Sequence, residues 1–276
     1  MRRFEAVPPG QKELRDQWVL ATILIRMASP SVSDRVTRER WQAAQAWERN
    51  HWVNVQRLRA RYFKNQIWRL LTAFGAVSKY RGDDWNAWWK QRFDDYKFVP
   101  ANVSNALEAG CGPYTNVRLM LDRCRFEHLY LSDPLIRTYV RFKLTFVAEM
   151  YREAACILDD HSLEELPFAS DYFDLVVMIN VLDHVQDANR CMENLVRVTK
   201  PGGILIIGQD LTNEEDVTAV KDEPGEVGHP IRLDNYWFAP YLEPKFTPII
   251  QKVLKREEGR APEHHSGTLL FAGRKT

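Results

Sequence analysis

The sequence predicts an α/β protein with an open, doubly wound sheet, a helical arm before it and a hairpin after it. Short apolar segments alternate with helical ones between residues 103 and 208, which is typical of a parallel sheet. The run from Phe173 to Asn180 is almost continuously apolar, as expected for a strand buried on both faces. Two further apolar runs, 248–256 and 268–274, have no helix between them and predict an antiparallel edge hairpin. The sheet therefore has seven predicted strands.

The predicted elements follow in a regular order. Strands are expected at 103–107, 127–132, 154–158, 173–180 and 204–208, and helices at 115–124, 135–150 and 187–199. The turn Pro201-Gly202-Gly203 precedes the fifth strand.

Residues 1–98 are predicted to form a basic, Trp-rich helical arm, and residues 99–276 the α/β domain. Residues 1–81 contain 16 Lys or Arg against 6 Asp or Glu, and eight of the nine Trp precede residue 90. Neither Gly nor Pro occurs from Val36 to Phe74, and apolar residues recur there at helical spacing. This pattern predicts one long helix or two medium ones. Shorter helices are expected at 13–27 and 85–96.

Composition narrows the protein's class and location. The formal net charge is +1, and the four cysteines form no C-x-x-C pair, so a disulfide framework or structural zinc site is not expected. No uncharged run exceeds about ten residues, too short for a membrane span, and no signal peptide is recognisable. These features favour a cytoplasmic protein.

The most informative segment is Glu108-Ala109-Gly110-Cys111-Gly112, directly after the first predicted strand. Glycines at such a turn let a ligand approach the backbone. Asp133 ends the second strand, where a carboxylate can accept both hydroxyls of a ribose. Both features lie at the carboxyl ends of strands, where open sheets bind ligands.

These motifs resemble those of class I S-adenosylmethionine-dependent methyltransferases of the type 11 group. Other segments carry the same resemblance: Leu166-Pro167-Phe168 with Phe173-Asp174-Leu175-Val176, the stretch Asn180 to Val185, and Pro201-Gly202-Gly203. The resemblance covers about 170 residues. It implies a Rossmann-like sheet and S-adenosyl-L-methionine as cofactor. The cofactor-binding residues that it implies are Glu108, Gly110, Cys111, Gly112, Asp133, Ser162, Leu163 and Asn180.

Individual roles follow from the cofactor's chemistry. Glu108 either orders the turn or accepts from the cofactor's ammonium group, and Asp133 binds its ribose. Ser162 and the Leu163 backbone are expected at the adenine, with Asp160 as substitute. A nicotinamide dinucleotide is disfavoured because Tyr114-Thr115 stands where a third glycine is wanted. Which groups meet the cofactor's carboxylate stays open, with Thr115 and Asn116 as candidates.

Two histidines are candidate catalytic bases. His184 follows the fourth strand, and His229 lies in the Gly-His-Pro segment after the fifth. Imidazole titrates in the range that suits deprotonation of a hydroxyl or amine. No metal site is expected, since Asp133, Asp159, Asp160 and Asp210 show no ligand spacing. His264 and His265 are expected at the surface.

The sequence thus predicts a methyltransferase (EC 2.1.1.-) that methylates, on oxygen, a small-molecule or glycan-precursor acceptor. The alternatives are a nucleic-acid methyltransferase and a non-catalytic protein that acts through its basic arm. For the arm itself, four roles stay open: a lid, a surface for membranes or anionic ligands, a nucleic-acid contact, and a homodimer interface. Nucleic acid is the weaker of these because the arm's charges form no narrow stripe.

Overall fold

The computed structural model describes residues 33–63, 83–142, 144–213 and 224–276, together with residues 70, 71, 73, 215 and 216. Seven strands form one mixed sheet in the order β3-β2-β1-β4-β5-β7-β6. Their bounds are β1 Asn102–Ala109, β2 Arg125–Ser132, β3 Ile157–Asp159, β4 Phe173–Ile179, β5 Thr199–Leu211, β6 Phe246–Lys255 and β7 Gly267–Lys275. The predicted fold class is confirmed.

The first five strands are parallel to one another, and the hairpin closes one edge. β7 pairs antiparallel with both β5 and β6, so the second strand of the hairpin inserts next to the parallel strands. Gly202 has a φ of +77°, and the β4–β5 register shifts between the pairs Phe173–Thr199 and Leu175–Ile204. The Pro201-Gly202-Gly203 turn therefore lies inside β5 as an irregularity, and the strand is longer than the predicted 204–208.

Alternate residues of the strands face two separate hydrophobic cores, as a doubly wound sheet requires. Leu107, Val176 and Leu205 belong to one core, together with the helix Ala188–Val198. Ala106 and Leu175 belong to the other, which contains side chains from the region before β1 and from the segments after β1 and β2. Both faces are therefore covered, and the ligand-binding surface is left to the edge where the parallel strands end.

The helices between the strands are shorter than predicted. In chain order, the α-helices whose bounds lie within the described residues are α1 Arg38–Phe63, α2 Asp83–Arg92, α3 Ile136–Tyr139, α4 Phe146–Arg152, α5 Ala188–Val198 and α6 Ala239–Leu242. The helix predicted at 115–124 is only a 3-10 turn, Val117–Met120. The one predicted at 135–150 is divided into α3 and α4, because Thr145 starts a new helix by accepting from the Ala148 amide at 3.3 Å.

Parts of the arm pack on the α/β domain, whereas Leu58, Leu70 and Leu71 are exposed. Trp89, Phe93 and Tyr96, from α2 and the turn after it, are buried in the same core as β1. The helix predicted at 13–27 and most of residues 64–74 lie outside the described residues, and the domain boundary at residue 98 stays a prediction. In the part of the chain that the structure describes, no helix is long and apolar enough to cross a membrane.

Candidate functional site

A cavity of about 610 Å³ lies at the carboxyl ends of β1, β2 and β4. Its size falls in the range of small-molecule sites. The sheet contributes Gly110, Gly112, Asp133 and Asn180, and α1 closes the opposite side with aromatic side chains. Seven of the eight predicted cofactor residues line this cavity, namely Gly110, Cys111, Gly112, Asp133, Ser162, Leu163 and Asn180.

Glu108, the eighth, lies beneath the turn and does not line the cavity. Its carboxylate is 1% exposed and accepts hydrogen bonds from the Asn116 amide at 2.7 Å, the Val117 amide at 3.1 Å and the Thr115 hydroxyl. Burial raises the pKa of Glu108, while these donors favour its ionised form. Of the two roles predicted for Glu108, ordering the turn is the one that its position fits.

The glycine turn leaves free space where a ligand can approach the backbone. Gly110 has a φ of +69°, and a Cβ there would clash with Val181. Gly112 has a φ of +55°, and a Cβ there would meet nothing within 4 Å. Gly112 therefore faces the cavity, and the space above it is not filled by any described side chain.

Asp133 is buried at the cavity wall and is held by two backbone amides. Oδ2 accepts from Gly112 at 3.1 Å and Oδ1 from Leu135 at 2.8 Å. Burial raises the pKa of Asp133 to about 6, although both hydrogen bonds oppose the shift. Each carboxylate oxygen has a second lone pair, so the group can still accept from two ligand hydroxyls.

Among the described residues, the Oδ1 of Asn116 is buried without a hydrogen-bond partner, and it lies on the cavity wall. A ligand ammonium group would satisfy this acceptor. The sequence predicts Thr115 and Asn116 as candidates for the cofactor's carboxylate; the Asn116 Oδ1 is an acceptor and suits the ammonium group instead, and the Thr115 hydroxyl donates to Glu108.

Near the predicted adenine position, Ser162 and Leu163 line the cavity, whereas Asp160 does not. Asp160 points to solvent and pairs with Arg137 at 3.0 Å. It is therefore not placed to substitute for Ser162. Asp159 is turned toward Ser132 and His161, whose Oγ and Nδ1 each lie 2.7 Å from its carboxylate.

His184 and His229 converge on one buried carboxylate, Asp183. The Nδ1 of His229 lies 2.8 Å from Asp183 Oδ2, and the Nε2 of His184 lies 3.7 Å from the same oxygen. Their ring centroids are 4.5 Å apart, and both rings line the cavity. Gln209 donates to the other carboxylate oxygen at 3.1 Å. The site therefore has a cluster of Asp183, His184 and His229, joined by one hydrogen bond between Asp183 and His229, of which the sequence singled out only the histidines.

This cluster shifts the titration of two of its members. Burial alone would raise the pKa of Asp183, but the two histidines and Gln209 hold it well below its usual value. Burial opposes a charge on His184, yet Asp183 and Glu48 raise its pKa. The carboxylate of Asp183 is therefore ionised near neutral pH, and it fixes the Nδ1 of His229 as a hydrogen-bond donor.

The cluster is also where three ligand atoms for a metal ion come together. The ligand atoms of Asp183, His184 and His229 lie within 4.8 Å of one another. No other trio of His, Cys, Asp or Glu in the described chain is this close. The four aspartates considered from the sequence do not gather around one point, whereas this trio mixes nitrogen and oxygen donors.

The hairpin loop also contributes to the cavity, which corrects one expectation. His264 and His265 line the cavity with Arg260; the His265 side chain is only 17% exposed, whereas that of His264 is 41% exposed and also reaches the surface. The long connection between β6 and β7 folds back over the strand ends, so that Arg260 pairs with Asp210 at 2.9 Å. Burial lowers the pKa of His265.

Helix α1 covers the site and is fixed to the domain by specific contacts. Arg40 donates to the carbonyls of Val227 at 2.6 Å and Glu226 at 3.0 Å. The ring of Trp47 packs so closely on Gly228 that a Cβ there would lie 2.5 Å from it. Glu48 accepts from Trp52 and lies 3.9 Å from His184. The arm is thus a wall of the cavity, which the sequence could not indicate residue by residue.

Comparison with known proteins identifies the domain that carries this site. Residues 107–207 match the family model described as methyltransferase domain, and the family implies S-adenosyl-L-methionine as its cofactor. The ubiquinone/menaquinone biosynthesis C-methyltransferase UbiE of Vibrio vulnificus is 43% identical over 44 residues, 16% of this chain and 17% of that protein. The match therefore spans only a small part of the curated relative.

Solved structures share the fold. The N-methyltransferase NodS of Bradyrhizobium japonicum WM9, in complex with S-adenosyl-L-homocysteine, has a TM-score of 0.50 and 18% identity, covering 80% of this chain and 98% of NodS. The [4+2]-cyclase SpnF also has a TM-score of 0.50, at 17% identity over 70% of this chain and 80% of SpnF. Since proteins of different reactions share this fold, the reaction has to be argued from the site.

Proposed function

On the premise that residues 107–207 form a class I methyltransferase domain, we propose that this protein transfers the methyl group of S-adenosyl-L-methionine to a hydroxyl of a small-molecule or glycan-linked acceptor. The observation that carries the proposal is the Asp183–His229 hydrogen bond on the wall of the same cavity that holds the glycine turn and Asp133. A cofactor pocket and a basic group thus share one enclosed space.

The cofactor would lie along the carboxyl ends of β1 and β2. Its ribose hydroxyls would donate to Asp133. The part of the cofactor that lies against the protein backbone would occupy the open space above Gly112. Asn116 Oδ1 would accept from the ammonium group. Ser162 and Leu163, farther along the cavity wall, would meet the adenine.

The chemistry requires alignment and one proton acceptor. The acceptor oxygen attacks the methyl carbon in line with the sulfonium, the O–C bond forms as the S–C bond breaks, and the electron pair stays on sulfur. Because Asp183 holds Nδ1 of His229 as a donor, Nε2 of a neutral His229 carries the lone pair that takes the hydroxyl proton.

The lining of the cavity supports a small acceptor. Helix α1 and the β6–β7 loop both line the cavity, so an acceptor group must enter beneath them. Two arginines of the basic arm also have partners within the chain: Arg40 binds backbone carbonyls, and Arg35 lies 3.4 Å from Asp187. Four cysteines without disulfides fit the cytoplasmic location that we include in the proposal.

Two experiments test the proposal. Hydroxylated small molecules and nucleotide-linked sugars are incubated with the enzyme and S-adenosyl-L-methionine, and mass spectrometry should detect transfer of one methyl group to at least one of them. His229→Ala should lower turnover of that acceptor by about 10²–10⁴-fold, whereas His128→Ala, at an exposed position on β2, serves as matched control. Binding of S-adenosyl-L-homocysteine without transfer to any acceptor, including RNA, would favour a non-catalytic role.

A further inference from the structure

We propose that Asp183, His184 and His229 form a binding site for a divalent transition-metal ion such as Zn²⁺ at the acceptor end of the cavity. Two imidazole nitrogens and one carboxylate oxygen suit Zn²⁺, Co²⁺ or Mn²⁺ better than Mg²⁺ or Ca²⁺, which prefer oxygen ligands. Three protein ligands with an open fourth position are typical of catalytic rather than structural zinc sites.

The orientation of His184 is the first argument. Its Nδ1 donates to the Gly228 carbonyl at 2.8 Å, so in the neutral ring the lone pair is on Nε2, which faces the carboxylate of Asp183 at 3.7 Å. Two acceptor atoms that face each other need a cation between them, either a proton or a metal ion. A backbone carbonyl that holds the distal N–H is also the usual support for a histidine that ligates a metal.

The second argument is the support of the other ligands. Gln209 donates to Oδ1 of Asp183, which leaves Oδ2 directed at both histidines. The amides of Val181 and Leu182 donate to the side-chain oxygen of Gln209 at 3.2 and 3.0 Å, so this amide is itself held in place. The carboxylate is therefore oriented by residues that do not belong to the cluster.

The third argument is distance. Around an ion with bonds of about 2.0–2.1 Å, tetrahedral ligand atoms lie roughly 3.4 Å apart. The Asp183–His229 pair is now at 2.8 Å and the Asp183–His184 pair at 3.7 Å. The third pair, between the two histidine nitrogens, lies within 4.8 Å. Side-chain shifts that bring these distances to a common value would admit the ion, and the Asp183–His229 hydrogen bond would be lost on binding.

The ion would also change how the acceptor is activated, an extension that rests on the proposed function. Because His184 and His229 line the cavity, the open ligand position faces the acceptor. A hydroxyl bound there has a lowered pKa and loses its proton to water. The resulting alkoxide then takes the methyl group, and the electron pair of the S–C bond remains on sulfur. The metal thus replaces His229 as the activating group.

The test is a titration of the chelator-treated full-length protein with Co²⁺, followed by visible absorption. We expect one equivalent of Co²⁺ to bind, with the visible absorption bands typical of Co²⁺ that has few ligands, here nitrogen and oxygen atoms. His184→Gln and Asp183→Asn should each weaken binding by at least about tenfold, and His128→Gln should not. Unchanged binding in His184→Gln, or no stoichiometric binding in the wild type, overturns the site and leaves Asp183 with its hydrogen bonds to His229 and Gln209.

Titration of the same samples with S-adenosyl-L-homocysteine separates this inference from the proposed function. Retained binding of the cofactor product by His184→Gln shows that the variant is folded. Cofactor binding without metal binding overturns the metal site alone, and metal binding without cofactor binding overturns the proposed function alone. Once an acceptor is known, equal turnover with and without Zn²⁺ after chelation would overturn the activating role.

Discussion

At the scale of single residues, Asp133 is a buried carboxyl group that is positioned to accept hydrogen bonds from a neutral ligand group. Burial raises its pKa to about 6, and two backbone amides hold both oxygens in place. The ionised form is therefore costly in the free protein and is stabilised further by any ligand that donates to it. Cofactor affinity should depend on the protonation of this one side chain.

Lowering the pH through about 6 should weaken binding of S-adenosyl-L-homocysteine. The sign follows from the raised pKa: the carboxylate that accepts from the ribose is present above this value and is progressively lost below it. Calorimetric titrations across this range provide the measurement. Asp133→Asn should bind more weakly at neutral pH and show no change through this window, and an equally steep profile in that variant would assign the effect elsewhere.

Gly112→Ala should spare the fold and impair cofactor binding. A methyl group there meets no protein atom within 4 Å, but the φ of +55° costs about 1 kcal/mol for alanine. The same methyl group would occupy the space reserved for the cofactor, so affinity should fall at least about tenfold. Gly202→Ala is the matched control, because Gly202 has a φ of +77° and open space. Thermal denaturation and calorimetry measure both effects, and equal affinity of the two variants would contradict this use of Gly112.

The sequence predicted those site residues whose roles depend on local order along the chain. Gly110, Gly112 and Asp133 follow strands directly, and their positions in the cavity could be inferred from strand order alone. Asp183 and Glu48 could not be found this way. Asp183 directly precedes a candidate histidine, but its hydrogen bond is with His229, 46 residues later. Glu48 lies at the site only because α1 folds over it.

At the scale of elements, α1 is a wall of the cavity held by few contacts with the segment 226–229. Arg40 and Trp47 supply most of the contacts that the structure describes there. Gly228 has to remain glycine for Trp47 to pack, and its carbonyl also orients His184. The position of the arm and the geometry of the histidine cluster are therefore linked through one residue.

Arg40→Ala should loosen α1 without unfolding the sheet. The variant loses two hydrogen bonds from a charged group, at 2.6 and 3.0 Å, each contributing about 1.5–3 kcal/mol at most. Amide hydrogen exchange in residues 38–56 should accelerate, while exchange in β4 and β5 stays slow. Arg38→Ala, at an exposed position on the same helix, is the control. Equal protection of α1 in both variants would show that these bonds do not hold the arm.

Strands were easier to predict than helices for a physical reason. Each strand shows its burial as a short apolar run, and the hairpin was evident because no helical segment separates its two strands. The helix predicted after β1 is reduced to one turn and the one predicted after β2 is divided in two, because backbone amides there donate to side chains instead of continuing a helix. Asn116 and Val117 donate to Glu108, and Thr145 starts a second helix. Such tertiary bonds leave no periodic signal in the sequence.

At the scale of the whole molecule, two functions meet in one cavity: a pocket for a sulfonium cofactor on the sheet and a histidine cluster under the arm. The sheet supplies the first through residues at the ends of β1 and β2, within the range that matches the family model. In the second, Asp183 and His184 follow β4 within the residues that match the family model, whereas His229 and the covering helix α1 lie outside them. The geometry of the histidine cluster therefore depends in part on segments that the family model does not describe.

The most direct test of the account is a calorimetric titration of the full-length protein with S-adenosyl-L-homocysteine at neutral pH, with NAD⁺ as comparison ligand. The account predicts saturable binding at one site, weakened by roughly 10- to 100-fold in Asp133→Asn through loss of a charged hydrogen-bond acceptor, and no binding of NAD⁺. Absence of S-adenosyl-L-homocysteine binding, or equal affinity in Asp133→Asn, would contradict the assignment of this cavity as the cofactor pocket.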